Sequence, residues 1–462
     1  MLKKLTELEV TSEAPFAKDA LDRKESIEKL TNLVQSTEQS FVLSVEAPWG
    51  WGKTTFIRMW KAHLQSMGHV CLHFNAWEND FVDDPLVAFL GEMKRFVESE
   101  LKKLDDDDPM KASWEKVKKI GGGVLRKTLP LAVQVATHGI VTQEKVKQIA
   151  SLVSDEANEV AEFASNLAKE RLEKYDSERK GIDAFRLNLE KLAQELATKD
   201  GRVAPLVFFI DELDRCKPDF AVALLERVKH LFNVNRIVFV LAVDRKQLNE
   251  SVRALYGTNA DPDGYLRRFI DLAYCLPDPK PDAFADSLFH RFKLEECFGP
   301  RHDHARIFRA AFSKYSRCFG LSLRTQEQCF TEINIVLRTA NIVGDIPTAA
   351  LCFLVTLRAF KPGIVHELRE GRVQTETVLK WIASVDDEWY RQWAEAVLIV
   401  GFMSRDNREA RGKVLKTQAE SGSEADRQRA EPLRGLISAL YGDFYNKVHA
   451  ILFHLEFASQ FH

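Results

Sequence analysis

The stretch Phe41 to Thr55, FVLSVEAPWGWGKTT, constrains this chain more than any other. The apolar run Phe41-Val42-Leu43-Ser44-Val45 reads as a strand, and the residues from Lys53 to about Gln65 read as a helix. Between them, Gly50 and Gly52 allow the backbone to turn its N–H groups inward around an anion. The dipole of the following helix points at the same place. Lys53 is placed to reach terminal phosphates, Thr54 to offer a hydroxyl to Mg²⁺, and Thr55 to continue the first turn. The loop, Pro48-Trp49-Gly50-Trp51-Gly52-Lys53-Thr54-Thr55, has the form of a Walker A phosphate loop with one departure: Ala47 stands where the pattern carries its first glycine.

A phosphate loop needs a second strand that delivers carboxylates, and Leu206-Val207-Phe208-Phe209-Ile210 meets that need. Five apolar residues in a row suit a parallel strand buried on both faces. Asp211 emerges at the carboxyl end, where ligands bind in open α/β sheets. Asp211 is the expected Mg²⁺ ligand beside Thr54, and Glu212 is the expected base for the attacking water. Asp214 and Arg215 follow, free to pair with each other, to cap the next helix or to meet a neighbouring subunit. Asp244 ends the buried run Ile237 to Ala242, as a γ-phosphate sensor or as a helix N-cap. Hydrolysis also needs positive charge on the transition state. Arg267 and Arg268, before the strand Leu272 to Leu276, could face the nucleotide of a second subunit, and Arg324 could fold back over the site. Arg23, ahead of the first strand, is a candidate for the base pocket.

The rest of the chain sets the frame. Of 462 residues, 45% are hydrophobic and the net charge is −3, which suits two or three globular domains and gives no electrostatic signal for nucleic acid or an anionic membrane. Seven scattered cysteines with no CxxC pair read as free thiols in a reducing cytoplasm. No stretch has the apolar length of a membrane span; Val124 to Val141 is interrupted by Arg126, Lys127, Gln134 and His138. Strands alternating with helices predict a parallel α/β sheet. Residues 1–20 read as loosely ordered, and the aspartates Asp105 to Asp108 as a solvated turn. The expected division is 1–109 and 201–280 for the two parts of the sheet domain, 110–200 for a helical insertion, 281–403 for a helical lid-like domain, and 404–462 for a mobile linker, 404–432, followed by terminal helices.

Three separated motifs in this order resemble the KAP family of P-loop NTPases: Ala47 to Thr54 with tryptophan inside the loop, Phe74-Asn75-Ala76-Trp77-Glu78 after a second strand, and Ile210-Asp211-Glu212-Leu213-Asp214-Arg215-Cys216-Lys217-Pro218. The resemblance covers residues 20–280 and, more loosely, the helices to about 375. It implies an additional-strand P-loop sheet, ATP and Mg²⁺ as ligands, and ATPase activity. It also implies an insertion between the Walker motifs that carries membrane helices in many members; here that insertion lacks the apolar length. The segments Tyr265 to Asp271 and Leu321 to Arg324 look most like a bacterial antiphage-defence branch. Partner defence proteins and a homo-oligomer follow from that likeness.

Overall fold

The computed structural model describes residues 8–37, 39–101, 186–191, 193–195, 203–228, 234–279, 281–298, 302–339, 348–441 and 447–458, with 180 and 183. The acidic run at 105–108 and most of the expected helical insertion lie outside the described residues.

Five strands form one parallel sheet. They are Phe41–Glu46 (β1), His69–Asn75 (β2), Val203–Asp211 (β3), Ile237–Val243 (β4) and Leu272–Cys275 (β5), in the spatial order β2-β3-β4-β1-β5. All four pairings are parallel, with Val45 opposite Ala242 and Asp211 opposite both Ala242 and Asn75. The strand bearing the phosphate loop is therefore separated from the strand bearing Asp211 by β4. Every residue of β4 is buried, which explains its unbroken apolar sequence IVFVLAV.

The two faces of the sheet carry separate apolar cores, as strand alternation requires. One joins Leu43, Val45, Val207, Phe209, Val238 and Val240 to the helices Lys24–Gln35 (α1) and Lys53–Ser66 (α2). Trp60 of α2 is fully buried there and donates to Thr31 Oγ1 at 3.1 Å, so its one polar atom is satisfied. The other joins Phe74, Phe208 and Phe239 to Pro85–Leu101 (α3), Pro218–Val228 (α4) and Arg245–Tyr256 (α5). Leu189 and Ala193, from the end of the expected insertion, are buried in this second core. Within the described residues 8–20, Val10 and Phe16 pack against the α1–α2 side, with the Phe16 ring 5.1 Å from His63.

Beyond the short helix Pro262–Leu266 (α6) and β5, the chain is helical. The helices are Pro281–Arg291 (α7), Glu295–Phe298 (α8), His302–Cys318 (α9), Leu323–Thr339 (α10), Thr348–Phe360 (α11), Ile364–Arg369 (α12), Thr375–Trp381 (α13) and Glu388–Phe402 (α14). Arg405–Ser421 (α15), Glu424–Leu440 (α16) and Lys447–Ala458 (α17) complete them. One apolar core runs through them from Phe284 to Ala458.

The expected linker at 404–432 is not a linker. It forms α15 and α16, a hairpin with serine N-caps at Ser404 and Ser423. Its composition is polar because few of its residues turn inward: Leu415, Ala430, Leu433 and Leu440 are buried, and Ala419, Leu436 and Ile437 partly so. The pair is fastened instead by charge. Arg411 and Arg429 reach the two oxygens of Glu395 on α14 at 2.6 and 3.1 Å, and Glu395 is 4% exposed.

Candidate nucleotide-binding site

The phosphate loop takes its shape from two glycines. Gly50 has φ +80° and Gly52 φ +82°, a region that L side chains rarely enter. Gly52 is the N-cap of α2 and offers no side-chain acceptor, so the first-turn N–H groups are left open to an anion. Ala47 is outside the positive-φ set and is buried on the α2 face of the sheet. At this position a methyl group packs into the core, and the freedom of glycine is not needed. Pro48 is exposed, and Trp51 is half-buried against the same core.

Lys53 is 8% exposed, and its Nζ donates to the carbonyls of Ala47 at 2.7 Å and Pro48 at 3.4 Å. Asp214 Oδ2 stands 3.9 Å away. Burial lowers the Lys53 pKa, an effect opposed by Asp214, Asp244 and Asp211. Trp49 binds across the cleft: its indole Nε1 donates to Asp214 Oδ2 at 2.5 Å and its backbone N–H to Asp244 Oδ2 at 3.0 Å. The other oxygen of Asp244 accepts from the N–H groups of Lys246 and Gln247. Asp244 is thus the N-cap of α5 and a brace for the phosphate loop together.

Across the cleft, Asp211 is 1% exposed. Its Oδ1 accepts the Glu212 N–H at 2.8 Å, and Oδ2 has no hydrogen-bond partner. Glu212 sits at φ +59°, a strained position for glutamate. Its carboxylate is held on both oxygens, by Asn75 Nδ2 at 3.1 Å and by Arg215 Nη1 at 2.6 Å. Arg215 also lies over the ring of exposed Trp77. Asn75 was legible in the sequence as part of a motif, but its contact with Glu212 needs the β2–β3 register that puts Asn75 beside Asp211.

Gly50, Gly52, Lys53, Asn75, Trp77, Asp211, Glu212, Asp214 and Arg215 line a cleft of about 510 Å³, while Pro48, Trp49, Trp51 and Asp244 lie outside its lining. Thr54 and Thr55 are on its wall. So is Arg23, which is 3% exposed; its Nη1 donates to Pro277 O at 2.8 Å, and its Nη2 has no partner. Arg324, at the start of α10, lines the cleft from the helical region. That approach is close: a Cβ on Gly50 would lie 2.8 Å from Ser322 Oγ and 3.2 Å from the Arg324 Cβ. Arg58 and Arg291 line the cleft too, unforeseen from sequence.

Arg267 and Arg268 are not brought to the cleft of their own chain. Both are exposed. They precede Asp271, whose side chain and N–H bond to Val42 at the start of β1, the end of the sheet opposite the phosphate loop. Arg268 lies over the Tyr265 ring. Because β5 runs parallel to β1, residues just before it lie at the end of the sheet away from the phosphate loop.

A parallel sheet in this order, with a glycine-bent loop after β1 and a carboxylate pair after β3, defines a P-loop NTPase domain with an additional strand between the two halves of its site. More narrowly, the chain belongs to the KAP family: the KAP family P-loop domain matches residues 23–361. Among similar proteins is the phage T7 exclusion protein of Escherichia coli K12, 22% identical over 358 residues, which make up 73% of this chain and 44% of that protein. The chain thus spans less than half of that relative's length. An uncharacterized protein of Methanocaldococcus jannaschii, MJ0182, is 25% identical over 173 residues, 36% of this chain and 85% of its own. Among solved structures, the ORC2 protein of Aeropyrum pernix in ADPNP–ADP complexes aligns with 95% of this chain and 86% of its own at 13% identity and a TM-score of 0.35. Cdc6p of Pyrobaculum aerophilum aligns with 95% of this chain and 94% of its own at 11% identity and a TM-score of 0.34. Among the described residues, no helix is long and apolar enough to cross a membrane.

Proposed function

We propose that this protein is a Mg²⁺-dependent ATPase that works as a switch or assembly motor in bacterial defence against phage. The observation that carries the hydrolytic part is the restraint of Glu212. A carboxylate in a strained backbone, held by Asn75 and Arg215 across the cleft from Lys53, is a base kept in a set position. Asp211 adds a buried oxygen with no partner, which fits a divalent cation. Thr54 and Asp211 would hold that cation, which supplies charge on the phosphate oxygens.

The chain's own groups have distinct tasks. The open N–H groups of α2 and Lys53 bind phosphate. Arg324 brings positive charge from the helical region, so binding would draw that region toward the phosphate loop. Arg23, with its free Nη2, and Met59 offer a polar and an apolar wall for the base. The defence role draws on the likeness to the phage T7 exclusion protein, and partner defence proteins and a homo-oligomer belong to the same proposal. Arg267 and Arg268 would then serve only a neighbouring subunit. The decisive measurement is ATP turnover by the full chain beside Glu212→Gln. The variant should bind ATP and retain it; turnover at the wild-type rate would remove Glu212 from its role.

A nucleotide-stabilised scaffold is the alternative. It is favoured by the single helical core from Phe284 to Ala458, a large mass that contributes Arg324 to the cleft. Tight nucleotide retention with negligible turnover in wild type would select it.

A further inference from the structure

The mechanism above leaves one histidine unexplained. His73 is on β2, two residues before Asn75, so strand alternation turns both side chains to the same face of the sheet. That face carries Asp211 on the neighbouring strand. His73 Nε2 is buried, lines the cleft and has no hydrogen-bond partner. It stands 3.8 Å from Asp211 Oδ2, which is also buried and without a hydrogen-bond partner. Two unsatisfied polar atoms facing each other are costly unless something sits between them.

We propose that His73 is a third protein ligand of the cation site, and that the site accepts imidazole-accepting divalent ions such as Mn²⁺ or Co²⁺ as well as Mg²⁺. This rests on the nucleotide site proposed above. Two donors about 2.1 Å from one ion stand roughly 3.0 Å apart at a right angle and 4.2 Å apart across it. The observed 3.8 Å falls between these limits. A neutral imidazole offers one lone pair, which divalent transition ions take more readily than Mg²⁺ does. Among the described residues, no three His, Cys, Asp or Glu side chains form a metal cluster by themselves. The remaining positions would therefore fall to Thr54, phosphate oxygens and water, as in other nucleotide-bound cation sites.

The experiment is pulsed electron paramagnetic resonance on the full chain with Mn²⁺ and ADP, with histidine labelled with ¹⁵N in the wild-type sequence. The expected result is ¹⁵N coupling to Mn²⁺ in wild type, absent from His73→Ala and His73→Asn. Direct titration should show Mn²⁺ affinity in the presence of ADP falling about tenfold in both variants, with Mg²⁺ affinity changed less than about threefold. Labelling alone perturbs nothing, so the test does not depend on either variant folding. Mn²⁺·ADP bound without histidine coupling overturns the ligand role of His73 and leaves the nucleotide site standing. Failure of wild type to bind ADP with either metal overturns both.

Discussion

The indole of Trp49 donates to Asp214 Oδ2 across 2.5 Å, tying the phosphate loop directly to the turn that carries Glu212. Asp214 is buried, and its other oxygen has no partner, so this bond is the main satisfaction its carboxylate has besides nearby Lys53. Trp49→Phe keeps the ring and removes the donor. The expected loss is about 1.5–3 kcal/mol in the nucleotide-free protein, the range for a hydrogen bond to a charged group. Asp214→Asn keeps an acceptor and should lose less. Chemical denaturation of both variants measures the difference; equal stability of wild type and Trp49→Phe would show that the bond carries no weight.

Asn75 donates to Glu212 through Nδ2 and accepts the Trp77 and Glu78 N–H groups through Oδ1, and none of these groups is assigned to phosphate. Asn75→Ala should therefore lower kcat and leave the dissociation constant for ATP within about twofold, since an interaction that only positions the base acts on the chemical step. Single-turnover hydrolysis and equilibrium nucleotide binding separate the two quantities. A variant that loses binding and keeps kcat contradicts this assignment.

The buried Lys53 makes nucleotide affinity depend on pH. Burial lowers its pKa in the empty site. Bound phosphate would raise it again, since opposite charge favours the ammonium form. Binding therefore takes up protons, and affinity falls as pH rises from the lowered value toward the ordinary lysine value of about 10.4. The stability of the empty protein has the opposite dependence: it rises with pH over that window, because the unfavourable buried charge is relieved. Calorimetry of ATP binding at alkaline pH in two buffers of different ionisation heat should show proton uptake, which Lys53→Arg should abolish.

Gly50 is where the helical region bears on the phosphate loop. Gly50→Ala would place a methyl group 2.8 Å from Ser322 Oγ at a positive φ, and should weaken nucleotide binding at least about tenfold through strain and displacement of α10. Ala47→Gly should do little to binding, because Ala47 already has an ordinary backbone; its expected cost is about 1 kcal/mol from a lost core methyl group and added chain entropy. Parallel nucleotide titrations of the two variants check both statements.

Much of this was legible in the sequence because it is local. Lys53, Thr54, Asp211 and Glu212 are fixed by short runs in which a strand, a glycine turn and a polar residue follow one another. Arg324 lies on the cleft lining. What required the fold depends on register between strands distant in sequence: Asn75 and His73 reach β3 only through the β2–β3 pairing. Arg267 and Arg268 precede β5 and lie at the end of the sheet away from their own phosphate loop, so a role for them stays with a neighbouring subunit. The hairpin of α15 and α16 was hidden by its polarity, since ion pairs to one carboxylate do part of the work that apolar stripes usually do.

That carboxylate gives a further test. Glu395→Ala leaves Arg411 and Arg429 without their shared partner. Arg429 is 60% exposed and Arg411 34%, so both can be partly rehydrated. The expected cost is about 1–3 kcal/mol, below the roughly 3–5 of a fully buried pair. Hydrogen exchange should speed up across 405–440 and stay unchanged in the five strands.

The position of β4 sets the scale of the whole site. Neighbouring strands lie about 4.8 Å apart, so a strand inserted between β1 and β3 holds the two walls roughly 9.6 Å from each other. β4 supplies neither Lys53 nor Glu212, yet it acts as the gauge block between them. Its seven buried residues fix a gap of molecular width with the stiffness of a close-packed interior. The tolerance of this site is accordingly set in the hydrophobic core, and a methyl group added to or removed from β4 would be felt at the phosphate loop as a change in fit.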